Sequence, residues 1–367
     1  MINKTMDMTP TRIEKRKRNG GGTTIDHVAR LAEVSRITAA RAFSNPDVVA
    51  EKTRKKILDA ASRLNYRPNV LARGLAGGKT HTIAVIWSLS SIPTDMTLTR
   101  RLAGRLQKEG YLPYICDLPV TAADVRRLIE DFAQRGVDGL IVAEAGTNVV
   151  IEAMHSDLRD RFRAVVLETS TPLETGGDEV VRNRTGAFRE VVAHFARSGR
   201  RRPLLVMSGH SGYDKIRAFT EECHRQSLEL LPNAIALTPP HISYRSGSDD
   251  INSFLSGLAP DGTFPFDAIM CVNDMTALVV RAWLRQRGLR VPEDVALVGF
   301  NNSDMSRYFD PPLASVDRRT DETINAILEL LFARLKDPDI PLQRRELSMK
   351  FLWRESAGGI PPGNMIM

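Results

Sequence analysis

The stretch from Thr24 to Ser44, TIDHVARLAEVSRITAARAFS, admits few folds. Ile25, Val28, Ala29 and Leu31 recur at helical spacing, Ala32-Glu33-Val34 interrupts the pattern, and Ser35 stands where an N-cap opens a second helix. Two helices separated by so short a break form a helix-turn-helix. The second helix, Arg36 to Phe43, is expected to turn Ala39, Ala40 and Phe43 inward and to leave Arg36, Ile37, Thr38 and Arg41 facing a partner. Guanidinium and hydroxyl groups at one helix end suit base edges and phosphates in a major groove. After an Asn45-Pro46-Asp47 turn, a third helix is expected from about Glu51 to Leu64, with Ile57, Leu58, Ala61 and Leu64 closing a three-helix core. Lys52, Arg54, Lys55 and Lys56 crowd its first turns, where a helix dipole prefers acids, and a nearby phosphate backbone accounts for them.

Charge is distributed to match. Residues 1–79 carry 17 Lys and Arg against 7 Asp and Glu, whereas the remainder of the chain is at −3. A basic module on a near-neutral body reads as a nucleic-acid-binding head on a body with another task. Charge alone leaves a solvated basic face equally open; the helix pattern decides between them. Residues 1–22, with Lys15-Arg16-Lys17-Arg18 and Gly20-Gly21-Gly22, read as a disordered basic arm that either adds phosphate contacts or only solubilises. Cys116, Cys223 and Cys271 are widely spaced and odd in number, as expected for free thiols in a reducing cytoplasm. No apolar run has the length of a membrane span, and no signal-peptide pattern opens the chain.

From Thr82 onward short apolar runs alternate with helical patterns. Strands are expected at 82–87, 112–116, 139–143, 164–167, 203–207, 268–272 and 295–299, and helices at about 97–109, 122–135, 186–198, 213–227, 274–287 and 321–336. β-Branched strands without polar alternation mean parallel sheets covered on both faces. So many strands suit two Rossmann-like lobes better than one sheet. The expected fold is therefore an all-α helix-turn-helix head, residues 23–68, joined by a hinge, 69–80, to an α/β body of two lobes, 81–356, with a flexible tail at 357–367.

The residues TIDHVARLAEVS, Arg41, NYRPNVLARGLAGGKT, VPEDVALVGFNNSDMSRYFDPPLASV and LSMKFLWRES together resemble the lactose-repressor (LacI/GalR) family of bacterial transcription regulators, across nearly the whole chain. The resemblance implies a periplasmic-binding-protein-like body whose lobes exchange strands, with crossings near 178–181 and 303–312, and a small-molecule effector in the cleft between them. It implies a cytoplasmic homodimer on a near-palindromic double-stranded operator, repression as the commoner mode, and no cofactor, metal or membrane. By position it assigns DNA contacts to Thr24, Ser35, Arg36, Ile37, Thr38, Arg41, Asn69 and Ala72, and makes Leu75 the hinge leucine wedged into the minor groove, where unstacking is offset by a bend that wraps more protein surface. Three departures stand out. Glu33 occupies the family's turn glycine, Thr38-Ala39-Ala40-Arg41 lacks the usual serine hydroxyl, and Ala50 replaces a capping serine at a cost of roughly 1 kcal/mol.

For the effector, the resemblance points to Ser88, Glu168, Arg182, Lys215, Asn273 and Asn301. Lys215 keeps the charge of an effector-binding arginine but loses its fork. Asn301 and Arg182 each replace an aspartate of the family, so acids are missing from a site that often holds neutral sugars. An effector bearing a carboxylate or phosphate, such as a sugar acid or phosphorylated metabolite, follows from that exchange. The alternative, that Arg182 points to solvent or pairs with Glu168 or Glu144, stays open. Ser90 and Asp95 are further candidates in the loop after the first strand.

Enzymatic readings find less. Gly209-His210-Ser211-Gly212-Tyr213 lacks the last glycine of a nucleophile elbow. Gly77-Gly78-Lys79-Thr80 resembles the tail of a phosphate loop but precedes a strand where such a loop follows one. No histidine pair has metal-ligand spacing. The competing functions are a cytoplasmic sugar-binding protein or a sugar-modifying enzyme with a nonspecific basic head. The Gly- and Pro-rich tail has no heptads, so a C-terminal coiled-coil tetramer is not expected.

Overall fold

The computed structural model describes residues 23–67, 79–87, 93–143, 145, 148–154, 158–173, 176–208, 213–238, 247–259 and 263–359. The chain divides into two units, one ending at Thr80 and one beginning at His81. The expected arm at 1–22, the hinge up to Gly78 and the tail beyond Gly359 lie outside the described residues.

In the first unit, α1 (Ile25–Leu31), α2 (Arg36–Ser44) and α3 (Glu51–Arg63) enclose a core of Val28, Ala29, Ala32, Ala39, Ala42, Ile57, Ala60 and Ala61. Six of those eight are alanine, which lets the helices approach closely but buries little area per residue. Three expectations shift by one or two residues along their helices. Ala40, Leu31 and Leu58 are exposed, and Ala42, Ala32 and Ala60 fill their places. The core stripe is narrower than the apolar residues alone suggested. Phe43 stacks obliquely on Tyr66 at 5.8 Å, and Thr23 Oγ1 donates to the Leu64 carbonyl at 3.1 Å, tying the ends of the unit together.

The body holds two six-stranded sheets. The first is ordered β11 (Arg344–Ser348), β5 (Asp178–Asn183), β4 (Ala164–Thr169), β3 (Gly139–Val142), β1 (Thr82–Trp87) and β2 (Leu112–Asp117), every pairing parallel. The second is ordered β12 (Lys350–Leu352), β10 (Ala314–Asp317), β9 (Ala296–Phe300), β8 (Ala268–Cys271), β6 (Pro203–Ser208) and β7 (Ile235–Thr238), and only β12 runs antiparallel. Strand β1 illustrates the layering. Ile83, Val85 and Trp87 join the cluster that contains Leu98, Leu102 and Leu106 of α4 (Pro93–Lys108), while Ala84 and Ile86 join Val125, Ile129 and Phe132 of α5 (Ala122–Gln134). Both faces are covered, so the strand needs no polar alternation.

The chain changes sheets three times. After β5 it enters α8 (Arg184–Arg197), the eighth α-helix among the described residues, whose Phe188, Val191 and Phe195 pack with Met207 and Phe300 in the second lobe. After β10 it enters α12 (Thr320–Lys336), whose Ile324, Ile327 and Leu331 return to the first lobe. Between β11 and β12 only Met349 separates the sheets. The crossings therefore lie at 183–184, 318–319 and 349. The expected position at 178–181 falls inside β5, and 303–312 lies wholly in the second lobe, where Ser303 N donates to Asp274 Oδ2 at 2.6 Å. Strand β5 is not evident from local pattern because Asp178, Glu179 and Arg182 break its apolar run; all three are buried and paired.

Asp178 receives both Nε (3.0 Å) and Nη2 (2.7 Å) of Arg334, which also binds the carbonyls of Pro338, Ile340 and Pro341. One guanidinium thus fastens α12, β5 and the segment that leads into β11. Arg334→Met is expected to leave Asp178 buried without its cation and to lower stability by about 3–5 kcal/mol. Urea unfolding with an unchanged m-value would report it; a loss under about 1 kcal/mol would mean that water or another donor replaces the pair.

Candidate functional sites

The outward face of α2 is built from its cap. Ser35 Oγ accepts from Thr38 N at 3.0 Å and lies 2.8 Å from Thr38 Oγ1, so this hydroxyl is shared with the cap and Thr38 is half-buried. Arg36, Ile37, Ala40 and Arg41 are exposed at i, i+1, i+4 and i+5, one face of one helix, and Ile37 is 64% exposed. Two forked cations flanking an isoleucine and an alanine offer hydrogen bonds and apolar contact together, the chemistry that reads base edges including a thymine methyl. Arg36 Nε is 3.4 Å from Asp26 Oδ1, with both groups mostly in solvent, a contact that a stronger anion displaces readily. Thr24 caps α1: its N–H donates to His27 Nδ1 at 3.1 Å and its carbonyl accepts from Val28 N at 3.3 Å.

The departures have structural counterparts. Glu33 sits at φ 54°, a left-handed turn conformation that glycine adopts more cheaply, and its carboxylate meets Lys56 Nζ at 2.7 Å. Lys56 is thereby engaged within the head, while Lys52, Arg54 and Lys55 remain exposed on α3. Ala50 caps α3 without any side-chain hydrogen bond. Asn69, Ala72 and Leu75 lie outside the described residues.

In the body, the candidate effector residues stand at or just beyond the C-terminal ends of strands, the side on which α/β sheets bind ligands. Glu168 and Arg182 come from β4 and β5, Asn273 follows β8, Asn301 follows β9, and Lys215 lies half-buried in the first turn of α9 (Tyr213–Arg225), after β6. The structure joins Glu168 directly to Arg182, whose Nε donates to Glu168 Oε1, with neither side chain exposed. Asn273 caps α11 (Asp274–Gln286), Oδ1 accepting from Thr276 N at 2.7 Å. Asn301 is buried at φ 98° and its N–H donates to the Val316 carbonyl at 2.8 Å. Ser88, Ser90 and Glu144 are outside the described residues, as are Gly209 to Gly212, and nothing is described of the Asp95 side chain.

Two residues absent from the sequence reading complete this cluster. Arg184, at the start of α8, approaches Glu168 Oε1 at 3.7 Å. Arg318, the first residue after β10, is 6% exposed and acts on the charges of both Glu168 and Arg182. Their signal was in the sequence as arginines directly following strand ends, in VVRNR and SVDRR, but β5 and β10 were not recognised as strands. Burial pushes the Glu168 carboxyl up, yet Arg182, Arg184 and Arg318 outweigh it and hold it at about 2. Burial also brings Arg182 down to about 10, aided by repulsion from Arg318 and Arg184 and opposed by Glu168. Both groups are charged at neutral pH.

Elsewhere, a cavity of about 610 Å³ lined by Arg159, Arg163, Gly177, Asp178 and Arg334 opens toward the N-terminal ends of β4 and β5, away from Glu168 and Arg182. Its acid is already bound by Arg334. The thiols are free, with Cys223 and Cys271 buried, and burial pushes the Cys223 thiol up to about 12. Among the described residues no His, Cys, Asp and Glu group could hold a metal, and no helix is long and apolar enough to cross a membrane.

Comparison with known proteins bears on both units. Residues 24–69 match the family model described as bacterial regulatory proteins, lacI family, and residues 192–357 match that of a periplasmic binding protein-like domain. An HTH-type transcriptional repressor PurR of Aliivibrio fischeri (strain MJ11) is 26% identical over 347 residues, covering 91% of this chain and 98% of the relative. PurR of Aliivibrio salmonicida (strain LFI1238) is 27% identical, with 86% and 92% covered. Among solved structures, the lac repressor dimer bound to operator and the anti-inducer ONPF is similar with a TM-score of 0.75 at 18% identity, covering 92% of this chain and 99% of the other. A CelR–cellobiose complex is similar at 0.60 and 23% identity, covering 91% and 99%, and an Enterococcus faecium regulator with bound ribose at 0.63 and 21%, covering 76% and 99%.

The Glu168 carboxyl, lowered in the folded chain from 4.5 to about 2, contributes stability that is complete above the ordinary carboxylate range and is lost as pH falls through about 2. That contribution is on the order of 3 kcal/mol. Glu168→Gln is therefore expected to be less stable at neutral pH and to show a shallower decline between about pH 5 and pH 2. Urea midpoints across that range test it; parallel curves for the two proteins would place the acid sensitivity elsewhere.

Proposed function

Because the chain belongs to the LacI family of bacterial regulatory proteins, a family of DNA-binding regulators and not of enzymes, we propose that it is a transcriptional repressor controlled by a small-molecule effector. Two copies pair through their bodies and present two α2 helices to the half-sites of a near-palindromic operator. Residues 69–80 link head to body, with Asn69 and Ala72 at the DNA and Leu75 as the minor-groove wedge. The observation that carries the proposal is the exposed face of Arg36, Ile37, Ala40 and Arg41 on a capped second helix. The repressors of the two Aliivibrio species, aligned over most of their length, support repression. The lac repressor structure supports a dimer on an operator, and the cellobiose and ribose complexes support a carbohydrate-like effector.

The mechanism requires only that the effector prefer one arrangement of the lobes. Strands and helices that cross between sheets at 183–184, 318–319 and 349 make any change of angle a change in both lobes. A differential affinity equivalent to about 1–3 kcal/mol suffices to alter operator affinity about 5- to 150-fold.

Arg41→Ala is expected to weaken binding to the operator upstream of the protein's own gene by about 10- to 100-fold, with much smaller loss on unrelated DNA. Fluorescence anisotropy with labelled duplexes across a salt series separates base contact from phosphate contact, since loss of one phosphate contact lowers the salt slope by about 1. Undiminished selectivity in an Arg36→Ala, Arg41→Ala double variant would remove α2 as the reading helix.

A further inference from the structure

Arg182 is the most fully enclosed cation described in this chain. Its side chain has no exposed surface, its Nε is used by Glu168, and both terminal nitrogens, Nη1 and Nη2, are buried without a hydrogen-bond partner. Nε of Arg184, two residues along, is likewise buried without one. A guanidinium carries five donors in a fixed plane, and leaving buried donors unmatched is costly, the more so where the group is charged. The groups that act most strongly on Arg182 are one carboxylate, Glu168, and two further guanidiniums, Arg318 and Arg184. The neighbourhood is thus two positive charges in excess of its named acid.

Local backbone adds to the imbalance. Arg184 is the first residue of α8, at the positive end of a 14-residue helix whose first turn contains no acid, and Asn183 spends its side chain on capping Gly186 N at 3.1 Å. Arg319, next to Arg318, adopts φ 51°, and its N–H donates to Asp317 Oδ1 at 2.8 Å. Arg182 and Arg184 flank the first crossing between sheets, and Arg318 lies at the second. Excess positive charge has been concentrated where the two lobes exchange chain.

We propose that Arg182, Arg184 and Arg318 form the receptor for one anionic group of the effector, a carboxylate or a phosphate, with Glu168 as the internal counter-charge that holds the cluster together in its absence. This rests on reading the body as an effector-binding domain. An anion placed against Nη1 and Nη2 of Arg182 takes two parallel charge-assisted hydrogen bonds, the geometry for which the guanidinium fork is suited. It also attracts Arg184 and Arg318 together. Because those arginines sit at two separate crossings, occupancy biases the arrangement of the lobes, and because Arg182 is enclosed, entry requires them to part. An uncharged sugar gains nothing from such a cluster.

The test uses the full-length protein with inorganic phosphate, D-gluconate and D-glucose 6-phosphate as probes, and D-glucose and sodium chloride at matched ionic strength as controls. Thermal unfolding and isothermal titration are read together on wild type, Glu168→Gln and Arg184→Gln. At least one anionic probe is expected to raise the wild-type Tm beyond the salt control while glucose does not. Phosphate against gluconate tells which kind of anion is preferred. Glu168→Gln is expected to melt lower and to be rescued by that probe with a larger shift than wild type, which a purely structural carboxylate would not produce. Arg184→Gln, at a position 12% exposed and outside the closest ion pair, is expected to bind the probe about tenfold more weakly or worse. No anion-specific shift in wild type, an equal shift in Arg184→Gln, or no rescue of Glu168→Gln overturns the inference. Operator binding measured in parallel separates the two levels. Selective DNA binding with no anion response leaves the regulator standing without this receptor, and an Arg184-dependent anion response without selective DNA binding leaves the receptor standing without the regulator.

Discussion

The ion pairs along β5 are what the two-lobed body depends on. Asp178 takes the Arg334 fork, Glu179 takes Arg344 Nε at 2.9 Å, and Arg182 donates to Glu168. Together they bind β5 to α12, to β11 and to β4, the elements on either side of the place where the chain leaves the first lobe and the one by which it returns. An apolar β5 could have packed as well in one sheet. The buried charges do something apolar contacts do not: each is held by directional hydrogen bonds to specific groups, which favours one register for a strand whose neighbour β11 arrives from more than 150 residues away.

That same choice explains what could be read from the sequence. Strands β1, β3, β6, β8 and β9 are apolar runs covered on both faces, and the expected bounds fall within two residues of those observed. Strands β5 (DEVVRN) and β11 (RRELS) carry as many charges as an exposed loop, and β12 is three residues long; local pattern holds no trace of the distant partners that make them strands. Local pattern shows no strand at β5 or β10, so the expected crossings rest on resemblance and lie several residues from 183–184 and 318–319. In the head the reverse holds. Ser35, the Ala32–Val34 break and the exposed Arg36, Ile37 and Arg41 follow from short-range rules, and only the rotation of the alanines, Ala42 inward and Ala40 outward, required the tertiary contacts with α3.

The effector candidates were legible as identities but not as a constellation. Asn273 and Asn301 are engaged with their own backbone surroundings, one capping a helix and the other holding a left-handed turn beside β10. For Glu168 and Arg182 the sequence leaves two alternatives, ligand contact or mutual ion pair, and the structure makes the pair while leaving two nitrogens of the arginine unmatched. The two readings are not exclusive: a guanidinium can satisfy an internal acid with Nε and present its fork to something else.

The energetics of buried charge argue for the same conclusion from another side. Desolvating a guanidinium and a carboxylate costs several kcal/mol per ion, and the Coulomb gain repays it only when the remaining donors are also satisfied. At Asp178 they are, since Arg334 divides its donors between the carboxylate and three carbonyls. At Glu168 one carboxylate faces three arginines, and Arg182 keeps two buried nitrogens unmatched. The first arrangement secures a fold; the second leaves a site whose energy falls when an anion arrives. The satisfied cluster stands at the base of the crossing strand and the unsatisfied one at its end.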